Sequence, residues 1–386
     1  MSEKLRVAVM LGKLGAFVHG KLDAARAFDD GDEGRGSFMT GTVAGFLTIT
    51  WGLAERGHEV DAFCDAKEVV RTCPALGGTS VYPIDEHQPD DTYDAYIAIL
   101  EPDLLRMAPA AKPRILVQWL NDFSYCKRPG WEEHVDAYVS PSETHAAYLS
   151  SKASIDRSSI AVIPLAANPE LHTPRRGARG QTIAYASSPD RGLHHLLEWF
   201  PEIRRRVPGA RLSVYYRVKP WLEDVLSEPG LRGSKHWKRA RAIKDAFEAQ
   251  GAEGENGLRL VGPLPHKAMT SELAHTRILA YPCDPVKFTE GFSMTVLDGC
   301  SAGCVPIVAG VDALTELWWN AAQIIPGVPS EKNKQDWIDT ICLALEDDQW
   351  ALEASILARV RARELTRQKV AARWESFIDM MILEKR

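Results

Sequence analysis

The chain has 386 residues, 45% of them hydrophobic and 25% charged, with a formal net charge of −6. That balance describes a soluble protein of two or three domains with a full core, and it argues against a dedicated nucleic-acid binder. Seven dispersed cysteines with no Cys-x-x-Cys pair point to reduced thiols and a cytoplasmic location, not a disulfide framework or a zinc site built on cysteines. There is no signal-peptide pattern and no uncharged apolar run of about 18 residues, so no membrane span is expected.

Residues 5–11 (LRVAVML) form a near-continuous apolar run, as in a parallel strand buried on both faces. The next residues, 12–15 (GKLG), lack both the Gly-Lys-Ser/Thr ending of a P-loop and the spacing of a dinucleotide fingerprint. Residues 20–38 are acidic and glycine-rich, and read as a loop at the carboxyl end of that strand. Over 39–56, Val43, Phe46, Leu47, Thr50 and Leu53 recur at helical spacing, with Gly57 as the stop. A second strand begins at His58. Further strands are expected at 93–100, 114–119, 137–140 and 160–165, and a helix at 142–151 with Ser142 as its N-cap. Repeated βα units of this kind imply an open parallel sheet with helices on both faces.

Residues 168–180 (NPELHTPRRGARG) form a polar, Pro/Gly-rich joint. The pattern then repeats. Strands are expected at 181–187, 211–216, 258–261, 277–281, 305–309 and 323–325. Helices are expected at 191–206, 267–276, 334–346 and 350–384. The predicted fold class is therefore α/β, with a first Rossmann-like domain over 1–170 and a second over 181–365. The terminal segment 366–386 is expected to pack back on the first domain. Ligands of such sheets bind beyond the carboxyl ends of the strands, so two facing domains would leave a cleft. The basic segment 233–247 (GSKHWKRARAIKDAF) reads either as a solvated helix face or as a peripheral membrane or acceptor contact.

The stretch 288–298 (FTEGFSMTVLD) stands between two strand-like runs. It offers a carboxylate, a glycine turn and then a helix start, a geometry in which α/β folds hold anionic ligands.

Several stretches, in order, resemble the retaining glycosyltransferases of family four, which have the two-Rossmann GT-B fold. They are 54–60 (AERGHEV), 160–168 (IAVIPLAAN), 187–193 (SSPDRGL), 261–265 (VGPLP) and 290–298, which looks like that family's Glu-x7-Glu motif. Glu316 falls where a further acidic residue is common. The resemblance covers nearly the whole chain and implies a nucleoside-diphosphate sugar donor, UDP- or GDP-linked, with no tightly bound cofactor. It implies Glu290 on the sugar hydroxyls, Asp298 on the ribose diol and Arg191 on the phosphates, at the family's lysine position. It also implies Ser187 in the phosphate loop and the Gly262–Leu264 backbone on the base. The amides of Gly291, Phe292 and Ser293 would meet the diphosphate. In the first domain, Gly15 and Gly41 are the glycine candidates beside acceptor and diphosphate. Asn121 and Asp122 stand where the family has its acceptor-side histidine.

Two departures bear on this reading. Asp298 is one methylene shorter than the usual glutamate. The arginine that normally precedes the phosphate lysine is absent, and Arg217 or Lys219 could stand in for it. His194 and His195 read as surface or packed histidines. No Asp-x-Asp metal motif is present, so transfer is expected to be metal-independent. The function implied is retaining transfer of a sugar to a small-molecule, glycan or lipid acceptor. A GT-B nucleotide-sugar epimerase and a non-catalytic nucleotide-sugar binder are the alternatives. The sequence says nothing of the oligomeric state.

Overall fold

The computed structural model describes residues 3–12, 41–119, 123–172, 179–250 and 256–386. The chain forms two compact units, Met1–Asn168 completed by Glu364–Arg386, and Pro169–Arg363.

The first unit runs β1 (Arg6–Leu11), α1 (Gly41–Glu55), β2 (Glu59–Cys64), β3 (Val70–Cys73), β4 (Thr79–Pro83), β5 (Ala95–Ile99), β6 (Arg114–Val117), β7 (Ala137–Ser140), α2 (Glu143–Ala153) and β8 (Ile160–Val162). Its sheet has the order β3-β4-β2-β1-β5-β6-β7-β8. β1 lies between β2 and β5, parallel to both, and Val7–Leu11 are buried. That placement accounts for the unbroken apolar run. Only β3 runs antiparallel to its neighbour. The Ser142 side chain accepts from the His145 N–H at 3.1 Å and caps α2, as its position in the sequence predicts.

The second unit comprises β9 (Thr182–Tyr185), α3 (Leu193–Arg206), β10 (Arg211–Val214), α4 (Val218–Ser227), α5 (Lys235–Gln250), β11 (Leu258–Leu260), α6 (His266–His275) and β12 (Ile278–Tyr281), then α7 (Met294–Ala302), β13 (Val305–Gly310), α8 (Leu314–Trp318), β14 (Gln323–Pro326), α9 (Lys334–Glu346) and α10 (Asp348–Glu364). Its all-parallel sheet has the order β11-β10-β9-β12-β13-β14. Strand succession reverses between β9 and β12, so the loops leaving these two strands emerge side by side. That is the switch point at which such sheets bind ligands. The basic segment lies mostly in α5, which is amphipathic: Ala240 and Ile243 are fully buried and Arg239 turns inward. Among the described residues no helix is long and apolar enough to cross a membrane.

The single helix expected over 350–384 is two helices. After α10 the chain extends at Thr366 (φ −72°, ψ 153°) and restarts as α11 (Arg367–Glu384). Ala167 causes the break. Its N–H donates to the Leu365 carbonyl at 2.8 Å and its carbonyl accepts from the Arg367 N–H at 2.9 Å. α11 then packs on α1. Gly52 permits the close approach, since a β-carbon there would lie 2.8 Å from that of Ala371. Arg367, wholly buried, grips Glu55 through two nitrogens (2.7 and 3.1 Å), donates to Asn168 (2.9 Å) and stacks on Trp51 at 3.5 Å. Arg367→Met should therefore lower the unfolding free energy by about 2 kcal/mol in chemical denaturation, less than for a fully buried pair because the Glu55 carboxylate it leaves is 35% exposed.

Candidate functional site

The site is built on the paired loops after β9 and β12. Residues Pro189–Arg191 make one 3₁₀ turn, and Gly192 follows at φ +111° as the N-cap residue of α3. A β-carbon on Gly192 would lie 1.7 Å from the Pro282 carbonyl oxygen, so only glycine fits this turn against the exit of β12. Arg239 of α5 ties the same two loops together. Its Nη1 donates to the carbonyls of Asp190 (2.7 Å) and Asp284 (2.8 Å), and its Nη2 pairs with Asp284 Oδ1 at 2.7 Å. Thr295 Oγ1 adds a bond to the Ala186 carbonyl at 2.9 Å. Arg191 is held from both sides.

That arginine meets Glu290 directly. Its Nη1 pairs with Glu290 Oε1, which also accepts from the Tyr281 hydroxyl at 2.8 Å. Glu290 is 2% exposed, whereas the Arg191 side chain is 35% exposed. The Arg191 side chain thus keeps part of its surface open beside a sunken carboxylate. Burial pushes the Glu290 carboxyl up, while Arg191 and Tyr281 pull it the other way. The backbone at Glu290 is clasped as well. The N–H groups of Thr289 and Glu290 donate to Asp312 Oδ2 at 2.8 and 3.0 Å, and the Ala313 N–H donates to the Glu290 carbonyl at 3.1 Å. Asp312 sits at φ +49° to do this.

Glu290 lies in the loop ahead of α7. Ser293 is the N-cap, its side chain accepting from the Val296 N–H at 3.4 Å. The expected start of the helix shifts accordingly: Gly291 and Phe292 precede it, and the free first-turn amides begin at Met294. Phe292 packs edge-on against Trp318, with ring centroids 5.7 Å apart. Ser187 donates to the Tyr281 hydroxyl at 3.3 Å, which brings it beside Glu290. Gly262 adopts φ +87° with open space where a side chain would stand, and Leu264 is half-buried. Asp298 is in the second turn of α7, with an imidazole 3.2 Å from each oxygen, His266 at Oδ2 and His172 at Oδ1. Burial pushes His172 down, with Asp298 opposing. At His266, Asp298 outweighs burial and holds the ring above its ordinary value.

Other expectations fall elsewhere. Gly15, Asn121 and Asp122 lie outside the described residues. Gly41 opens α1 in the first unit. Arg217 precedes α4 and is 4.0 Å from Asp224, Lys219 is exposed, and Glu316 is in the first turn of α8. His194 and His195 both turn toward Asp284. The sequence pattern missed Tyr281, Asp312, Arg239, His172 and His266. Only Tyr281, as the last residue of an expected strand, stood where a signal could have been sought.

Arg191→Met would leave the Glu290 carboxylate buried without its counter-ion. Part-exposure of Arg191 tempers the loss, which should be about 2 kcal/mol at pH 7.5. A lone carboxyl raised by burial can take up a proton, so its unfavourable ionisation disappears as pH falls through its folded-state pKa. The deficit against the wild-type chain should therefore shrink at pH 5, as read by denaturant titration at both pH values. An equal deficit at the two would contradict the pairing.

No protein-family profile matches the chain, and no curated protein matches it in sequence. Solved structures do match in fold. The chain is similar to sucrose-phosphate synthase of Thermosynechococcus elongatus, with 14% identity, a TM-score of 0.65, and coverage of 99% of this chain and 100% of that one. A glycosyltransferase from Rickettsia africae matches at 12% identity and TM-score 0.64, covering 100% of both chains. The catalytic domain of starch synthase IV from Arabidopsis thaliana, bound to ADP and acarbose, matches at 10% and 0.62, covering 98% of this chain and 100% of that one. The two Rossmann-like units with their returning C-terminal helix have the GT-B fold of these glycosyltransferases.

Proposed function

We propose that this chain is a cytoplasmic retaining glycosyltransferase of the family-four type, moving a sugar from a nucleoside-diphosphate sugar to a small-molecule, glycan or lipid acceptor. The observation that carries the reading is the sunken Glu290 carboxylate paired with the part-exposed Arg191 at the sheet's switch point. The GT-B fold supports it, as does the match to a structure holding ADP and a sugar. None of the seven cysteines forms a disulfide, which suits a reducing compartment.

In this reading the diphosphate lies between Arg191 and the N-terminus of α7, where first-turn amides and the helix dipole favour an anion. Glu290 accepts hydrogen bonds from sugar hydroxyls. As the bond from the anomeric carbon to the phosphate oxygen breaks, charge builds on the leaving diphosphate and Arg191 stabilises it. Five N–H donors let Arg191 keep Glu290 while bonding phosphate. The acceptor oxygen joins the anomeric carbon on the face the diphosphate leaves, and its proton passes to the departing phosphate oxygen. No divalent metal is required for this. Asp298 and the Gly262–Leu264 backbone take ribose and base, and Ser187 lines the phosphate loop. Gly15 and Gly41 are assigned to the donor side, and Asn121 and Asp122 to the acceptor side.

A screen of UDP-, GDP- and ADP-sugars should find a donor from which nucleoside diphosphate is released with transfer. Binding without release, or epimerised sugar alone, would replace transfer with one of its alternatives. Glu290→Gln keeps the side chain's size and should lower kcat by about 10²–10³, the scale of losing one positioned charge interaction; normal turnover would remove Glu290 from the site. Asp298→Asn should raise the donor KM by about tenfold with kcat little changed, the signature of lost ground-state binding.

A further inference from the structure

Two trios in the second unit each join one aspartate to two histidines, and they differ in one respect. At Asp298 the imidazoles approach opposite carboxylate oxygens, so their nitrogens face no common point. At Asp284 both rings approach the same oxygen. His195 Nε2 is 3.1 Å and His194 Nε2 3.7 Å from Asp284 Oδ2. Among the described residues this is the one group of three such ligands whose donor atoms all lie within 4.8 Å of one another. Ligand atoms around a tetrahedral zinc ion stand about 3.3 Å apart, given metal–ligand bonds near 2.0–2.1 Å. The observed separations from Oδ2 bracket that value.

We propose that His194, His195 and Asp284 bind one transition-metal ion of the zinc type. The surroundings pre-arrange the ligands. Arg239 holds the other oxygen, Oδ1, at 2.7 Å and both flanking backbone carbonyls, so the carboxylate cannot turn Oδ2 away. His195 stacks on Trp199 with ring centroids 5.4 Å apart, which fixes the plane of its ring. All three ligand side chains keep 15–16% exposure, enough for an ion to enter and for water to complete its shell. Arg239 offsets the aspartate's charge, which limits affinity for any cation. It does so most for hard ions that need several anionic oxygens, so magnesium and calcium are excluded while an imidazole-binding metal is retained. The ion would brace the first turn of α3, directly after Arg191 and Gly192, to the loop leaving β12. It takes no part in the transfer chemistry, and the inference stands apart from the proposed function.

The test uses the full chain without a histidine tag, stripped by chelator and titrated calorimetrically with Zn²⁺ and with Mg²⁺. The expected result is one Zn²⁺ per chain in the micromolar range or tighter, with no saturable Mg²⁺ binding. The His194→Ala, His195→Ala double variant should bind Zn²⁺ at least about 100-fold more weakly. Absence of saturable Zn²⁺ binding, or equal binding by the double variant, overturns the site. Should the variant fail to fold, X-ray absorption on the Zn²⁺-loaded wild-type chain decides. Two imidazole nitrogens and a carboxylate oxygen support the assignment, and a shell with sulfur or a single imidazole overturns it.

Discussion

A carboxylate as deeply buried as Glu290 must be neutralised where it stands, and the second unit is arranged so that Arg191 does so. An uncompensated buried charge is strongly destabilising, whereas a well-bonded pair is tolerated. Each surrounding feature serves that geometry. Gly192 brings the arginine's turn against Pro282, Arg239 fastens the two loops, Asp312 fixes the glutamate's backbone, and Tyr281 supplies a second hydrogen bond. The parallel order β9–β12 sets the two loops side by side in the first place. The same pair sets a part-exposed cation against a buried acceptor, two chemically different groups within one ligand's length.

The sheets were legible in the sequence because buried parallel strands leave unbroken apolar runs, as at 5–11 and 305–309. β3 and β4 were not. They are short, and β3 is largely exposed, so neither shows such a run. The split between α10 and α11 was also hidden. Nothing local breaks the helical pattern there; the extended Thr366 exists because Ala167, remote in sequence, takes its neighbours' backbone groups.

The candidate site divides in the same way. Glu290 stands out from its place before a glycine turn and a helix start, whereas Arg191 is singled out by the family resemblance of 187–193. Asp312, Arg239, His172 and His266 act only through tertiary contact, and no periodicity marks them. Arg191 and Glu290, assigned to phosphate and sugar from the sequence, touch one another. The short side chain of Asp298 has a local counterpart too: His266 bonds its Oδ2 from within the same unit.

The return of α11 to α1 has a consequence for synthesis on the ribosome. Domains generally fold as they emerge, the N-terminal one first. Here the first unit is not finished by its own first 168 residues, because Arg367 and the helix it begins appear only after Pro169–Arg363. Until then the Glu55 carboxylate awaits the arginine that grips it, and the apolar face of α1 around Gly52 has no cover. The later unit, Pro169–Arg363, is contiguous and complete before the earlier one. Vectorial synthesis therefore leaves the first unit's sheet waiting on α11, which emerges only after the whole of the second unit.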